Sequence, residues 1–331
     1  MKCSNCLRQV FTALASIAIA ASVVPIAGAQ AQDFPGKPMK FIVPVGTGGL
    51  SDLMGRLLSQ HLSARVGQPV IVDNRGGAGG ILGMKQLSQS APDGYTVGLT
   101  WLGAASVNPV LYKDAPYETL RDFTPISQVA SFPMVLLVHP SMPARTVKEF
   151  VELARAKPGS MNYGSPGNAT TAHLATELFK KKVGIDMVHV AFKSEAPTLS
   201  ELMAGRLSAL FITLTSALPQ INAGKVRALG IGTRQRSRLA PDIPTILEAG
   251  IPDVDVPGWY GVLAPAQTPK PIADRLNREF VAIIDEPEFR TRVAALGVEP
   301  GSSSPEAFAA WIRDETERWR KVVTDAGIKP D

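Results

Sequence analysis

Two short stretches of the sequence combine glycine and hydroxyl residues in a pattern that suits anion binding. The first directly follows an apolar run at 41–43 and contains Val45, Gly46, Thr47, Gly48, Gly49, Ser51 and Asp52. Glycines leave backbone N–H groups accessible, because they carry no side chain. Apolar residues at helical spacing follow, with Ser51 as the expected N-cap. A helix that begins here would turn its positive dipole end and its free N–H groups toward a negatively charged group.

Asp52 is the unexpected member of this first stretch, because a carboxylate repels an anion. In the first helical turn, its negative charge would interact favourably with the positive end of the helix dipole, without any contact with a ligand. Alternatively, it would accept a hydrogen bond from an ammonium or hydroxyl group of the ligand. The sequence leaves both roles open.

The second stretch lies at the predicted start of another helix and contains Ser165, Asn168, Ala169, Thr170 and His173. Two helix N-termini that face each other would hold one carboxylate from both sides. Each helix N-terminus stabilises a nearby negative charge by about 0.3–1 kcal/mol when exposed and by up to about 2 kcal/mol when partly buried. Direct and water-mediated hydrogen bonds must supply much of the remaining free energy of binding. For His173 we favour a packing or capping role over ligand contact.

Three further side chains lie near predicted loops. Trp101 follows the predicted strand 95–100, where it either packs or forms a stacking wall for a planar ligand. Arg75 and Lys193 are basic loop residues, and most surface basic residues bind nothing specific. We keep Lys193 among the ligand-binding candidates.

The sequence lacks the motifs of the common enzyme classes. The histidines His61, His139, His173 and His189 form no H-E-x-x-H pair, and there is no G-x-S-x-G, Walker or G-x-G-x-x-G motif. We therefore predict no enzymatic activity, no cofactor and no metal. A secreted hydrolase is the least favoured alternative, with Ser165 and His173 as its nucleophile and base.

The N-terminus has the features of a secretory signal peptide. Lys2 and Arg8 precede an apolar region, and Ala29-Gln30-Ala31 is a small-x-small cleavage site. We expect cleavage after Ala31 and export to the periplasm. Both cysteines, Cys3 and Cys6, lie in this segment. The remaining chain must therefore be stabilised by its core rather than by disulfides.

The chain of 331 residues has 34 Lys and Arg against 29 Asp and Glu, and its basic residues are dispersed. That distribution argues against a nucleic-acid partner. Strand and helix patterns alternate, which predicts an α/β fold with mainly parallel sheets flanked by helices. We expect a first domain from 32–131, a second from 132–230, and a return to the first over 231–331.

These patterns resemble one family over almost the whole predicted mature chain: the Bug family, the substrate-binding components of tripartite tricarboxylate transporters. The resemblance rests on the following runs, in this order and spacing: PVGTGGLSD (44–52), GQPVIVDNRGGAGG (67–80), APDGY (91–95), DFTP (122–125), YGSPGNATTAHL (163–174), HVAFKSEAP (189–197), GKVRAL (224–229), DIPTILEAG (242–250) and WYGVLAPAQTP (259–269).

The resemblance implies a class II periplasmic-binding-protein fold with a ligand cleft between two domains. It also implies a monomeric receptor that binds a small carboxylate and delivers it to one large and one small membrane subunit. A sensory receptor that contacts a membrane kinase would have the same sequence features. Phe192 stands where the family more often has tyrosine, so the candidate ligand contact at this position lacks a hydroxyl.

Overall fold

The computed structural model describes residues 34–167 and 170–328. The expected signal peptide and the candidates Asn168 and Ala169 lie outside these ranges. Residues from Lys37 onward form one compact unit, separate from the residues before them. Within the described ranges, no helix has the length and apolarity needed to cross a membrane.

Strands and helices alternate along most of this unit. The strands are β1 (Met39–Val43), β2 (Val70–Asn74), β3 (Thr96–Trp101), β4 (Phe123–Phe132), β5 (Met134–Val138), β6 (Met161–Ser165), β7 (Met187–Ala191), β8 (Ala209–Thr213), β9 (Arg227–Ile231), β10 (Gly258–Pro265) and β11 (Glu299–Pro300). The helices are α1 (Leu50–Val66), α2 (Ile81–Ser88), α3 (Asn108–Leu111), α4 (Thr119–Asp122), α5 (Val147–Ala156), α6 (Thr171–Val183), α7 (Glu195–Met203), α8 (Leu214–Asn222), α9 (Lys270–Asp285), α10 (Pro287–Ala295) and α11 (Pro305–Ala326).

The first sheet combines strands from both ends of the described chain, in the order β11-β4-β10-β3-β1-β2. β1 pairs in parallel with β2 and β3, and β10 runs antiparallel to β3 and β4. All residues of β10 are buried, as expected for a central strand covered on both faces. The carboxyl ends of β1 and β3 therefore lie side by side at one edge of the sheet.

The second sheet uses only the middle of the chain, in the order β7-β6-β8-β5-β9. β6 pairs in parallel with β7 and β8, whereas β5 runs antiparallel to β8 and β9. Only Pro133 separates β4 in the first sheet from β5 in the second. The chain returns to the first sheet between Ile231 and Gly258. The predicted two-domain α/β fold is confirmed.

The start of α1 differs from the sequence-based expectation. The helix begins at Leu50, and its N-cap is Gly49 in an extended conformation. Gly49 accepts the first helical hydrogen bond, from the Leu53 amide at 3.0 Å. Ser51 was therefore wrongly predicted as the N-cap, because it already lies within the first turn.

Gly83 fixes the distance between α2 and the end of β1. A Cβ at this position would lie 2.7 Å from Pro44 Cα and 2.8 Å from the Arg75 carbonyl oxygen. Both contacts are with backbone, so no flexible side chain can move aside. The close approach of α2 therefore depends on glycine.

We expect Gly83→Ala to lower the free energy of unfolding by about 1–3 kcal/mol, because the added methyl group must displace backbone. Urea denaturation would measure the change. Gly301→Ala is the matched control, since no heavy atom lies within 4 Å of its added Cβ. Equal midpoints for the two variants would contradict this account of the packing.

Candidate functional site

A cavity of about 690 Å³ is lined by residues from both sheets and their helices. Its walls are formed by Val45, Gly48, Gly49, Leu50, Ser51, Trp101, Phe132, Met134, Pro166, Thr170, Thr171, Ala172, Lys193, Ser194, Glu195, Ala196, Leu199, Ile212, Thr213, Ser216 and Tyr260. The first sheet contributes the loop after β1 and the ends of β3 and β4. The second contributes the residues that follow β6, β7 and β8.

Four of the helices described above begin at this cavity: α1, α6, α7 and α8 each place first-turn residues in its wall. This follows from the topology, because each of these helices follows the carboxyl end of a strand. The N-cap of α6 is satisfied by Thr170, whose hydroxyl accepts from the His173 amide at 3.4 Å. Within the described residues, no side-chain hydrogen bond caps α1, α7 or α8. The Leu214 amide of α8 already donates to the Pro133 carbonyl at 2.9 Å, and α7 opens with the Glu195 carboxylate. The start of α1 is therefore the one best suited to an anionic group.

Asp52 holds the loop between β1 and α1 instead of facing the cavity. Its buried carboxylate accepts hydrogen bonds from the Gly48 amide at 2.9 Å, from Asn74 Nδ2 at 2.9 Å and from Arg56 Nε at 3.1 Å. Burial raises the pKa of Asp52, but these hydrogen bonds and the Arg56 charge outweigh it and hold the pKa below its ordinary value. All described contacts of Asp52 are with groups of the protein itself, which supports the structural one of the two roles left open by the sequence. Gly46 and Thr47 lie in the same loop, outside the cavity wall.

Ser51 connects the start of α1 to the central strand of the first sheet. Its hydroxyl lies 3.0 Å from the Tyr260 hydroxyl, and both residues line the cavity. Tyr260 is nearly buried, so its ring forms part of the cavity floor. No sequence motif singled out Tyr260, because its place in the site depends on the pairing of β10 with β3.

Ser165 and His173 support the second helix start from behind the cavity wall. The buried Ser165 hydroxyl donates to the Gly167 carbonyl at 2.9 Å, and its oxygen lies 2.7 Å from His189 Nε2. Since the serine proton is used by Gly167, His189 donates to Ser165 rather than acting as its base. The imidazoles of His173 and His189 stack with their centroids 4.1 Å apart. The hypothetical pair of Ser165 with His173 as base is thus not formed.

The remaining candidates divide between wall and core. Trp101 lines the cavity and also packs closely on Gly80, where a Cβ would lie 2.7 Å from Cη2. It therefore combines the packing and wall roles that the sequence left open. Lys193 lies in the wall with an exposed side chain, whereas Phe192 packs against the core of the second domain.

Glu195, Thr213 and Ser216 belong to the cavity but were missed by the sequence-based reasoning. Glu195 opens α7, and the other two lie around the start of α8. They come together because β7 and β8 both run parallel to β6 between them, so that the carboxyl ends of β7 and β8 lie at the same edge of the sheet. Their spacing along the chain carried no signal of this proximity.

Two α/β domains with two crossings and a polar cavity at helix N-termini define the class of bilobal, periplasmic-binding-protein-like receptors. The profile of the tripartite tricarboxylate transporter family receptor matches residues 54–328. The chain is 33% identical to protein BugT of Bordetella pertussis over 314 residues, which covers 95% of this chain and 95% of BugT. It therefore belongs to the Bug family of tripartite tricarboxylate transporter receptors.

Two solved structures of receptors with bound acids are similar over nearly the whole chain. Rpa4515 of R. palustris, with adipate, has a TM-score of 0.80 and 33% identity, covering 90% of this chain and 100% of that chain. MatC of Rhodopseudomonas palustris, with bound malate, has a TM-score of 0.77 and 30% identity, covering 88% of this chain and 100% of that chain. The fold is thus shared with receptors whose cavities hold dicarboxylic acids.

We expect Asp52→Ala to lower the free energy of unfolding by about 1–3 kcal/mol, because the half-buried Asn74 amide, the Gly48 amide and Arg56 all lose the carboxylate as acceptor. Thermal or urea denaturation would measure the loss. Asp52→Asn keeps one acceptor oxygen and should cost less. Equal stability of Asp52→Ala and the wild type would contradict the structural role.

The buried imidazole of His173 predicts a defined pH dependence. Burial lowers the pKa of His173 to about 3, and the charges of His189 and Lys180 act in the same direction. The unfolded chain binds this proton near the ordinary pKa of about 6.5, so acidification to pH 5 protonates only the unfolded state. The resulting loss of stability between pH 7 and pH 5 is about 2 kcal/mol.

Urea denaturation of the wild type and His173→Gln at pH 7 and pH 5 would test this dependence. We expect the variant to lose less stability over that interval, whatever its stability at pH 7. Parallel losses in the two proteins would show that His173 does not stay neutral in the folded state.

Proposed function

We propose that this protein is a periplasmic receptor that captures a small organic carboxylate and delivers it to a tripartite tricarboxylate-type membrane transporter. The observation that carries the proposal is the start of α1, which has no side-chain cap among the described residues, in a cavity wall that also contains first-turn residues of α6, α7 and α8. Free amides and helix dipoles stabilise a negative charge there without a fixed cationic partner. The dicarboxylic acids held by Rpa4515 and MatC support this ligand class.

The ligand would close the two domains around itself, because residues of both line the cavity. Contacts between the second domain and the segment after β9 already exist. Thr215 Oγ1 donates to the Gly297 carbonyl at 2.9 Å, and Lys182 Nζ lies 3.0 Å from Asp253 Oδ2. The closed form would present both domain rims to the transporter.

The ligand-binding residues we propose are those of the cavity wall at the β1–α1 loop and at the starts of α6, α7 and α8. Asn168 and Ala169 remain predictions from the sequence. Gly46, Thr47, Asp52, Ser165, His173 and Phe192 would act by positioning these loops. The domain boundaries at 131/132 and 230/231 likewise remain predictions.

Gly49 offers a direct test, because it is the N-cap of α1 and has a backbone conformation open to other residues. No heavy atom lies within 4 Å of a Cβ built there. An aspartate would cap the helix and stabilise it, while adding a negative charge where the ligand carboxylate should lie.

We expect Gly49→Asp to keep or raise the melting temperature and to abolish binding of organic acids by calorimetry. The panel would contain mono-, di- and tricarboxylates, aromatic acids and amino acids. Gly49→Asn is the matched control, since it caps the helix without the charge and should retain weaker binding. Wild-type affinity in Gly49→Asp, or a wild type that binds no acid of the panel, would contradict the proposed function.

A further inference from the structure

Glu195 places an acidic group in the wall of the same cavity, and anion binding makes no use of it. Its Oε2 accepts a hydrogen bond from Ser216 Oγ at 2.8 Å and lies 3.2 Å from Thr213 Oγ1. The Thr213 hydroxyl is also 2.8 Å from Ser216 Oγ, so the three groups form one connected network. This network fixes the position of the carboxylate at the junction of α7 and α8.

The described partners of the Glu195 carboxylate are hydroxyl and amide groups of Ser216 and Thr213. Among the described residues, no ion pair joins it to a lysine, arginine or histidine. Burial raises the pKa of Glu195, and the hydrogen bonds from Ser216 and Thr213 only partly offset this effect. A partly buried carboxylate in such a place gains free energy when a cationic group of a ligand pairs with it.

The aromatic side chains of the cavity also favour a cation. Trp101, Phe132 and Tyr260 line it together, and the rings of Phe132 and Tyr260 lie 5.2 Å apart between centroids. Burial raises the pKa of Tyr260, the Ser51 hydrogen bond lowers it, and the negative charge of Glu195 raises it further. Glu195 and Tyr260 line the same cavity. Aromatic faces attract ammonium groups, most strongly where water is excluded.

In this cavity, a ligand with two carboxylates would encounter both a positive helix N-terminus and the negative side chain of Glu195. One carboxylate would gain from the N-terminus of α1, whereas the other would be repelled if it lay near Glu195 at the starts of α7 and α8. A ligand with one carboxylate and one amine satisfies both. Lys193 and Glu195, of opposite charge, lie two residues apart in the wall, which fits a ligand that carries both signs.

We propose that Glu195 selects a zwitterionic ligand, a carboxylic acid with a primary or substituted amine, and disfavours dicarboxylic acids. This inference rests on the proposed function, because it assumes that the carboxylate occupies the helix N-termini. It distinguishes this protein from the receptors that hold adipate and malate.

Pairs of acids that differ only at one end test the proposal in the wild-type protein. The pairs are succinate with 4-aminobutyrate, glutarate with 5-aminopentanoate, and adipate with 6-aminohexanoate, and the α-amino acids aspartate and glutamate are added. Calorimetry at pH 7 would give the affinities. We expect the best amino acid to bind about tenfold more tightly than its dicarboxylate partner.

The variant Glu195→Gln tests whether the Glu195 charge causes the preference for an amino acid over the matching dicarboxylate. The amide keeps the shape and the hydrogen bonds but removes the charge, so the preference for the amine should fall to about equal affinity. Glu201→Gln is the matched control on the same helix, since Glu201 pairs with Arg206 outside the cavity and its loss should leave the preference intact.

Two results would overturn the proposed role of Glu195: dicarboxylates that bind as tightly as the amino acids, or a preference for the amine that persists in Glu195→Gln. Neither result would contradict the proposal that the protein binds carboxylates. If no acid of any kind binds the wild type, the proposed function fails as well. If Glu195→Gln does not fold, the wild-type affinities alone decide between amine and dicarboxylate.

Discussion

The first amides of a helix cannot be satisfied by the helix itself, and this requirement governs the cavity. Among the described residues, helices α1, α7 and α8 begin there without a side-chain cap, as α2, α9 and α10 do elsewhere in the fold. α5, by contrast, has a complete capping box formed by Thr146 and Glu149. A missing cap alone therefore does not mark a binding site; what distinguishes α1, α7 and α8 is that their starts line one cavity.

Side chains behind the wall keep these donors in place. Asp52 binds Gly48 and Asn74, and so fixes the first loop from its buried side. In the second domain, Ser165 bridges Gly167 and His189, while His173 stacks on His189. Both arrangements place a buried polar side chain, Asp52 or Ser165, behind the loop whose backbone it holds.

The sequence predicted the elements well because hydrophobic periodicity is local. The two-domain α/β fold and the helix start at Thr170 follow from strand and helix patterns together with turn residues. Tyr260 and Glu195 could not be found in this way, since their proximity to the cavity arises from strands that pair far apart in the chain. Ser51 was misplaced by two residues, because a glycine in an extended conformation caps α1 without a side chain.

The first connection between the two sheets is the single residue Pro133, and it lies next to the cavity. Its neighbours Phe132 and Met134 both line the wall, and the Phe132 ring covers Gly258, where the chain re-enters the first sheet. Since proline fixes its own φ angle, a rotation of one domain must be absorbed by torsions of these same neighbours. Under the proposed function, the ligand would therefore contact the segment that joins the two domains, and its size would influence the angle between them.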